Sequence, residues 1–274
     1  GLFEMFGIPY VGCGVTASAI SMDKALTKIM MRDVGIPTTK FVYFYKHEWQ
    51  KSQSSINQKI SQLLVFPLMV KPAHLGSSIG IGKAKDEKEL GQKVEVALYY
   101  DNKVVVEEVV EDLMDVTCCL IGNDEPRASE LQESLFSIDL FSFEDKYLKD
   151  GGAQTGKSQR SVVIPARLSA ETTKAIKDTA IKTYKLLELS GISRVDFLVN
   201  RGTNKFFANE VNPLPGTLYH HLWQASGMEL PELLQNLIKF AREKYEEKKQ
   251  VNFSFESSVL TKLNSSKFKS NKLQ

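Results

Sequence analysis

The stretch Phe206–His221 reads FFANEVNPLPGTLYHH. It opens as an apolar strand, and alternation along a strand puts Glu210 and Asn212 on one face. A stiff Pro-Leu-Pro-Gly turn follows at once. A core strand has no use for a carboxylate and an amide two positions apart, whereas a metal-phosphate site does. Upstream, SRVDFLV at 193–199 reads as a second strand. Arg194 and Asp196 share one of its faces, and Val195, Phe197 and Val199 share the other. If the two strands are neighbours, Asp196, Glu210 and Asn212 converge as an all-oxygen set suited to Mg²⁺ or Mn²⁺. Arg194 beside them would meet anionic oxygen. A solvated face with a stray Arg-Asp pair explains RVD alone equally well, but the Glu-x-Asn and the following turn weigh against it.

A Mg²⁺ ion held by few protein ligands completes its shell with phosphate oxygens. A phosphate cradle is therefore expected elsewhere, and VKPAHLGSSIGIGK at 70–83 fits. Lys71 closes a strand, while Gly76, Ser77 and Ser78 offer backbone N–H groups and hydroxyls. This is not the GxxxxGK[ST] loop. Glycine-rich hairpin turns are common, so alone the cradle is a weak sign.

Composition sets the bounds. The chain has 274 residues, 42% hydrophobic and 25% charged, which allows one large domain or two to three small ones. No apolar run approaches the roughly 20 residues of a membrane span. A net charge of +2 with interleaved signs leaves no nucleic-acid footprint. Cys13, Cys118 and Cys119 lack metal-ligand spacing and read as buried thiols of a reducing cytoplasm. The four histidines, His47, His74, His220 and His221, form no zinc pattern. No signal peptide is visible, and the chain is expected to start inside a domain, with IPYVG as its first strand.

Between these points the sequence predicts a helix in SMDKALTKIMMRD, capped by Ser21 and stopped at Gly35 and Pro37. Strands are predicted in KFVYF, FPLMVKPA, KVVVEEVV, DVTCCLIGN and, more weakly, RASELQESL. The segment from Lys46 reads as polar with a helical tail. Asp86 with Glu89 makes a capping box for the helix before Asp101. Residues 141–168 read as a functional loop, since a polar, glycine-bearing connection of that length is unusual. Ser169 caps a helix with Ile176, Ala180, Tyr184 and Leu187 on one face, and a last amphipathic helix ends near Lys249. The two neighbouring cysteines, in a strand, point to opposite faces as packing residues.

Taken in order and spacing, GIPYVGCGVTASAISMDK, VKPAHLGSSIGIGK, VVVEEVVE, DVTCCLIGN, FEDKYL, SRVDFLVN and ANEVNPLPG resemble the D-alanine–D-alanine ligases of the ATP-grasp superfamily, from about Gly1 to about Tyr245. The resemblance implies an α+β ATP-grasp fold, two lobes clasping ATP. It divides the chain into a remnant of an N-terminal α/β domain (1–20), a central lobe (21–108), a C-terminal lobe with the catalytic and metal site (109–249) and a flexible tail (250–274). ATP, Mg²⁺ or Mn²⁺ and D-alanine are the implied ligands, and a homodimer the implied assembly. Lys24 and Lys71 match the two phosphate lysines. Ser78 matches the serine covering the phosphates, and Ser77 the one orienting substrate. Glu108 matches the acid at the adenine end. Asp115 stands where the family usually has a ribose-binding Glu, one methylene longer. Lys146 and Tyr147 match the Lys-Tyr pair of the closing omega loop. Arg194 matches the arginine of the tetrahedral intermediate, Gly216 the backbone donor near its oxyanion, and Asp196, Glu210 and Asn212 the metal ligands.

The match departs at the acceptor end. His221 aligns with a serine that holds the second substrate's carboxylate, so Thr217, Tyr219 or His221 itself takes that part, unless the two histidines are a helix-start pair at a cleft rim. The family's N-terminal region, with its site for the first ammonium group, is not matched. Three readings follow: a D-alanine–D-alanine ligase serving peptidoglycan precursor synthesis; a related ligase with D-lactate, D-serine or an L-amino acid as second substrate; or a nucleotide-binding module without ligation.

Overall fold

The structure, a computed structural model, describes residues 1–135 and 162–252. In chain order its elements are α1 (Leu2–Met5), α2 (Val15–Met22), α3 (Lys24–Asp33), β1 (Phe41–Tyr45), α4 (Lys46–Lys51), α5 (Gln53–Leu63), β2 (Leu68–Pro72), β3 (Gly82–Ala84), α6 (Glu87–Tyr100), β4 (Lys103–Glu108), β5 (Leu113–Gly122), β6 (Arg127–Ser134), β7 (Val162–Val163), α7 (Ala170–Leu186), β8 (Gly191–Asn200), β9 (Phe206–Asn212), α8 (His220–Ala225) and α9 (Leu230–Lys249). Two antiparallel sheets result. The first has the order β1-β4-β2-β3 and the second β7-β6-β5-β8-β9, an α+β arrangement.

The first sheet buries both faces, so its central strands carry continuous apolar runs, Leu68–Val70 and Val104–Val106, rather than alternating. On one face Phe44, Val70, Val104 and Val106 pack against Trp49, Ile60, Leu90 and Val94 of α4, α5 and α6. On the other, Phe41, Ala73 and Val105 meet Ala25 of α3. In the second sheet Val116, Cys118, Val195 and Phe197 face Ile176, Ala180 and Tyr184, the 3.6-period stripe of α7. Cys119, Ile121 and Ile192 face Leu222, Trp223, Leu233 and Leu237 of α8 and α9. The adjacent cysteines thus enter opposite cores, as strand alternation requires. Burial raises both thiols, Cys118 to about 12.

Three local expectations change. IPYVG is not a strand: residues 8–14 carry no regular structure. Hydrogen bonds from Ser190 Oγ to the Gly12 carbonyl (2.9 Å) and from Cys13 Sγ to the Ser190 carbonyl (3.6 Å) hold the segment across the start of β8. The approach needs a glycine at 191, with φ of +71°, because a Cβ there would lie 2.6 Å from the Gly12 nitrogen. The helix expected from Ser21 is two helices. Ser21 lies inside α2, and Asp23 caps α3 by accepting from the Ala25 and Leu26 N–H groups at 2.9 and 3.0 Å. The capping box before α6 is shifted by one residue: Asp86 accepts from Glu89 N, but Glu89 Oε2 reaches Lys85 N rather than Asp86 N. Of the expected functional loop 141–168, the part before Val162 lies outside the described residues, with Lys146 and Tyr147; so does the tail beyond residue 252.

Candidate functional site

Strands β8 and β9 pair so that Asp196 lies opposite Glu210 and Arg194 opposite Asn212. The condition set by the sequence is met, and both carboxylates and the amide share a face. The row runs further. Thr117 of β5 lies opposite Asp196, and Gln132 of β6 opposite Thr117. Four polar residues, Gln132, Thr117, Asp196 and Glu210, therefore cross four adjacent strands, a span of roughly 14 Å at about 4.8 Å per strand.

Asp196 is gripped from both sides. Its Oδ1 accepts from Thr117 Oγ1 at 2.8 Å, and its Oδ2 from Arg194 Nε and Nη2 at 3.0 and 2.6 Å. Arg194 in turn donates from Nη1 to the Tyr219 hydroxyl at 2.5 Å. The Asp196 charge holds the guanidinium firmly protonated against the cost of its burial. Among the described residues no group of three or more His, Cys, Asp or Glu side chains could hold a metal. Two carboxylates and one amide oxygen fit a hard cation that takes its other ligands from phosphate or water, which is the habit of Mg²⁺.

Facing this row are cations of the first sheet and of α3, which packs against it. Lys24 is the first residue of α3, placed by the Asp23 cap. Its Nζ donates to the Leu75 carbonyl at the base of the Gly-Ser loop and lies 3.9 Å from Glu210 Oε1. Burial pulls the Lys24 pKa below the ordinary lysine range. Lys71 pairs with Glu107 of β4 and donates to Asn209 Oδ1 of β9 at 3.0 Å. Glu107 is 1% exposed and also pairs with Lys28 at 2.7 Å. Thr39 Oγ1 donates to Glu107 at 2.8 Å and accepts from Lys28 at 2.7 Å. Burial opposes the Glu107 charge, but the two lysines overcome it and hold its carboxyl far below the usual range. Two cations around one anion leave the cluster with surplus positive charge beside Asp196 and Glu210.

Sequence reading missed Lys28, Thr39, Glu107 and Asn209. Two signals were available: Lys28 follows Lys24 by one helical turn, and Glu107 alternates with Glu108, so only one of the two can share the Lys71 face. Glu108 itself is tied to the strand end beside β1, where its Oε1 accepts from Lys40 N at 2.9 Å. Asp115 lies on β5 two residues before Thr117, on the same face and opposite Ser134. Ser77 and Ser78 both adopt left-handed backbone, φ of 57° and 61°, in the turn between β2 and β3. Such strain gathers where a loop must present N–H groups.

Gly216 and Thr217 are exposed in the turn after β9. A Cβ at Gly216 would meet nothing within 4 Å, so packing does not demand the glycine. His221 lies in the first turn of α8, with Nε2 2.7 Å from Gln132 Oε1, the far end of the polar row. Burial, then the neighbouring His220, lowers its pKa. The structure thus gathers Lys24, Lys71, Arg194, Asp196, Glu210 and Asn212 at one locus and places His221 across the row from it.

Comparison with known proteins gives consistent matches. A family model described as "D-ala D-ala ligase C-terminus" matches residues 30–239. A D-alanine–D-alanine ligase of Acetivibrio thermocellus is 40% identical over 249 residues, 89% of this chain and 64% of the relative. One from Caldicellulosiruptor bescii is 40% identical over 260 residues, 93% of this chain and 69% of the relative. The chain thus spans about two thirds of the length of these relatives. Among solved structures, the D-alanine-D-alanine ligase from Coxiella burnetii superposes with a TM-score of 0.76 at 30% identity, covering 91% of this chain and 65% of that one. The VanG D-Ala:D-Ser ligase from Enterococcus faecalis gives 0.76 at 32% identity, with 88% and 67% covered.

Proposed function

Because this chain belongs to the D-alanine–D-alanine ligase family, we propose that it serves the ATP-dependent joining of two D-alanines for peptidoglycan precursor synthesis. Its two-sheet α+β fold is the ATP-grasp arrangement. The observation that carries the proposal is the in-register pairing of Asp196 with Glu210 and Arg194 with Asn212, opposite Lys24 and Lys71. That is a carboxylate-amide set, a cation pair and an arginine at one locus, which phosphoryl transfer to a carboxylate requires.

In this reading a carboxylate oxygen of the first D-alanine attacks the γ-phosphorus of ATP, and ADP leaves. The amine of the second D-alanine then attacks the acyl carbon, and inorganic phosphate leaves with the bonding pair. Lys24 and Lys71 hold phosphate oxygens, Ser78 covers them, and Ser77 orients the substrate. Asp196, Glu210 and Asn212 would hold Mg²⁺, or Mn²⁺, which supplies charge neutralisation to the phosphates when bound. Arg194 and the Gly216 N–H stabilise the tetrahedral oxyanion. Glu108 and Asp115 belong to the adenine and ribose ends. Lys146 and Tyr147, outside the described residues, belong to the loop that excludes water from the acyl phosphate. We keep the division at residues 20, 108 and 249, the homodimer and the cytoplasmic setting as parts of the same proposal. Among the described residues no helix is long and apolar enough to cross a membrane.

A second reading has its own observation. His221, which aligns with the family's acceptor serine, lies 2.7 Å from Gln132, and this supports D-lactate, D-serine or an L-amino acid in place of the second D-alanine, with Thr217 and His221 as its contacts. Phosphate release from Mg-ATP separates the cases. Release with D-alanine, lost in Arg194→Ala, supports the first reading. Release only with another acceptor supports the second, and ATP binding without release for any acid leaves a non-catalytic module.

A further inference from the structure

The turn after β9 does something that none of these roles explains. Leu218 and Tyr219 are consecutive non-glycine residues with left-handed backbone, φ of 54° and 48°. Such a pair is costly, and surrounding structure must hold it in place. It folds the Tyr219 side chain back over Arg194. The guanidinium carbon lies 5.2 Å from the ring centroid, and Nη1 donates to the phenol oxygen at 2.5 Å. Asp196 meanwhile takes Nε and Nη2. Of the five N–H groups of an arginine, three are thus engaged and two remain among the described residues.

One carboxylate alone lets a guanidinium pivot about the shared oxygen. A second anchor on the other terminal nitrogen, with an aromatic face against the plane, removes that freedom. We propose that Tyr219 is a positioning residue for Arg194, fixing the guanidinium so that its two remaining N–H groups point at the oxygen that becomes negative during ligation. The tether is read from geometry alone, whereas its target oxygen rests on the ligase reading. Among the described residues Lys24 and Lys71 bond to Leu75, Glu210, Glu107 and Asn209 rather than to Tyr219, so the nucleotide end is expected to be independent of it.

Tyr219→Phe keeps the ring and removes the hydroxyl. The first measurement needs no turnover: nitrogen-15 NMR of the arginine side chains, with Arg194 assigned by its own substitution. In the parent protein, rotation about the Arg194 Cζ–Nη bonds is expected to be slow, and in Tyr219→Phe at least about fivefold faster. Unchanged rotation overturns the proposal, whether or not the protein turns over. The second measurement is steady-state kinetics with Mg-ATP and D-alanine. A kcat about tenfold lower with the ATP KM within about twofold supports positioning. A kcat close to that of the parent, or an ATP KM raised as much as kcat falls, overturns it. A parent that shows the restrained Arg194 but no turnover with any acceptor leaves the tether standing and removes the ligase reading.

Discussion

Replacing Glu107 by glutamine tests the buried charge cluster directly. The substitution keeps shape and one carbonyl acceptor, and removes the carboxylate that pairs with both Lys28 and Lys71. Two ammonium groups then face a neutral amide. At an effective dielectric of about 20, like charges roughly 5–6 Å apart repel by about 3 kcal/mol. Removing one partner of a buried pair costs about 3–5 kcal/mol. The expected destabilisation is therefore about 3–5 kcal/mol, a fall in Tm of about 6–20 °C for a chain of this size. Lys28→Met is the matched control. It leaves one carboxylate with one lysine, and its cost should stay below about 2 kcal/mol.

Urea unfolding followed by circular dichroism measures both. The pH dependence gives a second check. The Glu107 carboxyl is held below its ordinary value of 4.5 in the folded chain. On acidification the unfolded state binds the proton first, so this contribution is present above 4.5 and is lost as pH falls below it. The gap between parent and Glu107→Gln should narrow in that window. A Glu107→Gln cost under about 1 kcal/mol, or a Lys28→Met cost as large as that of Glu107→Gln, would refute the reasoning, because charge balance would then not decide the stability.

Asp23→Ala removes the cap of α3 and strands Lys103, whose Nζ lies 2.7 Å from Asp23 Oδ2. A loss of about 3–5 kcal/mol is expected in the same unfolding assay, with weaker ATP binding by calorimetry because Lys24 is the next residue. The three thiols are buried, with Cys13 raised to about 11 and Cys118 to about 12. A chromogenic disulfide should therefore titrate none of them in the native chain within minutes and all three after denaturation; rapid native reaction would contradict the packing.

What the sequence made legible followed short-range rules. Alternation placed Asp196, Glu210 and Asn212, and their strands are joined by a short turn, so the pairing needed no long-range information. The Ile176–Leu187 stripe of α7 was legible for the same reason. Residues that depend on distant partners were not. Ser21 and Asp23 are both good caps, and the choice between them was settled by Lys103, eighty positions away, which holds the second Asp23 oxygen. Glu107 reads as one more strand-end acid until Lys28 closes over it. IPYVG has strand composition but finds no strand to pair with, and the chain there is fixed by the Gly12–Gly191 approach instead. His221, at the start of α8, gave no sign of Gln132, which lies on β6.

One irregularity joins these observations. The β8–β9 register slips between Asp196 and Phe197: Asp196 lies opposite Glu210, but Phe197 lies opposite Ala208. Asn209 is therefore the extra residue of a β-bulge. Strict alternation would put Ala208 on the face of Glu210 and Asn209 in the core beside Val211. Ala208 and Val211, three positions apart, are instead both in the core below the second sheet. The bulge resolves the mismatch and turns Asn209 out toward Lys71, while Glu210 keeps its place near Lys24. Deleting Asn209 would restore the period of two with Ala208 still in the core and Glu210 still on its own face, and would cost the strand its contact with Lys71. The irregular spacing of apolar residues in FFANEV is thus what lets one strand serve both lysines of the facing lobe and still complete its own core.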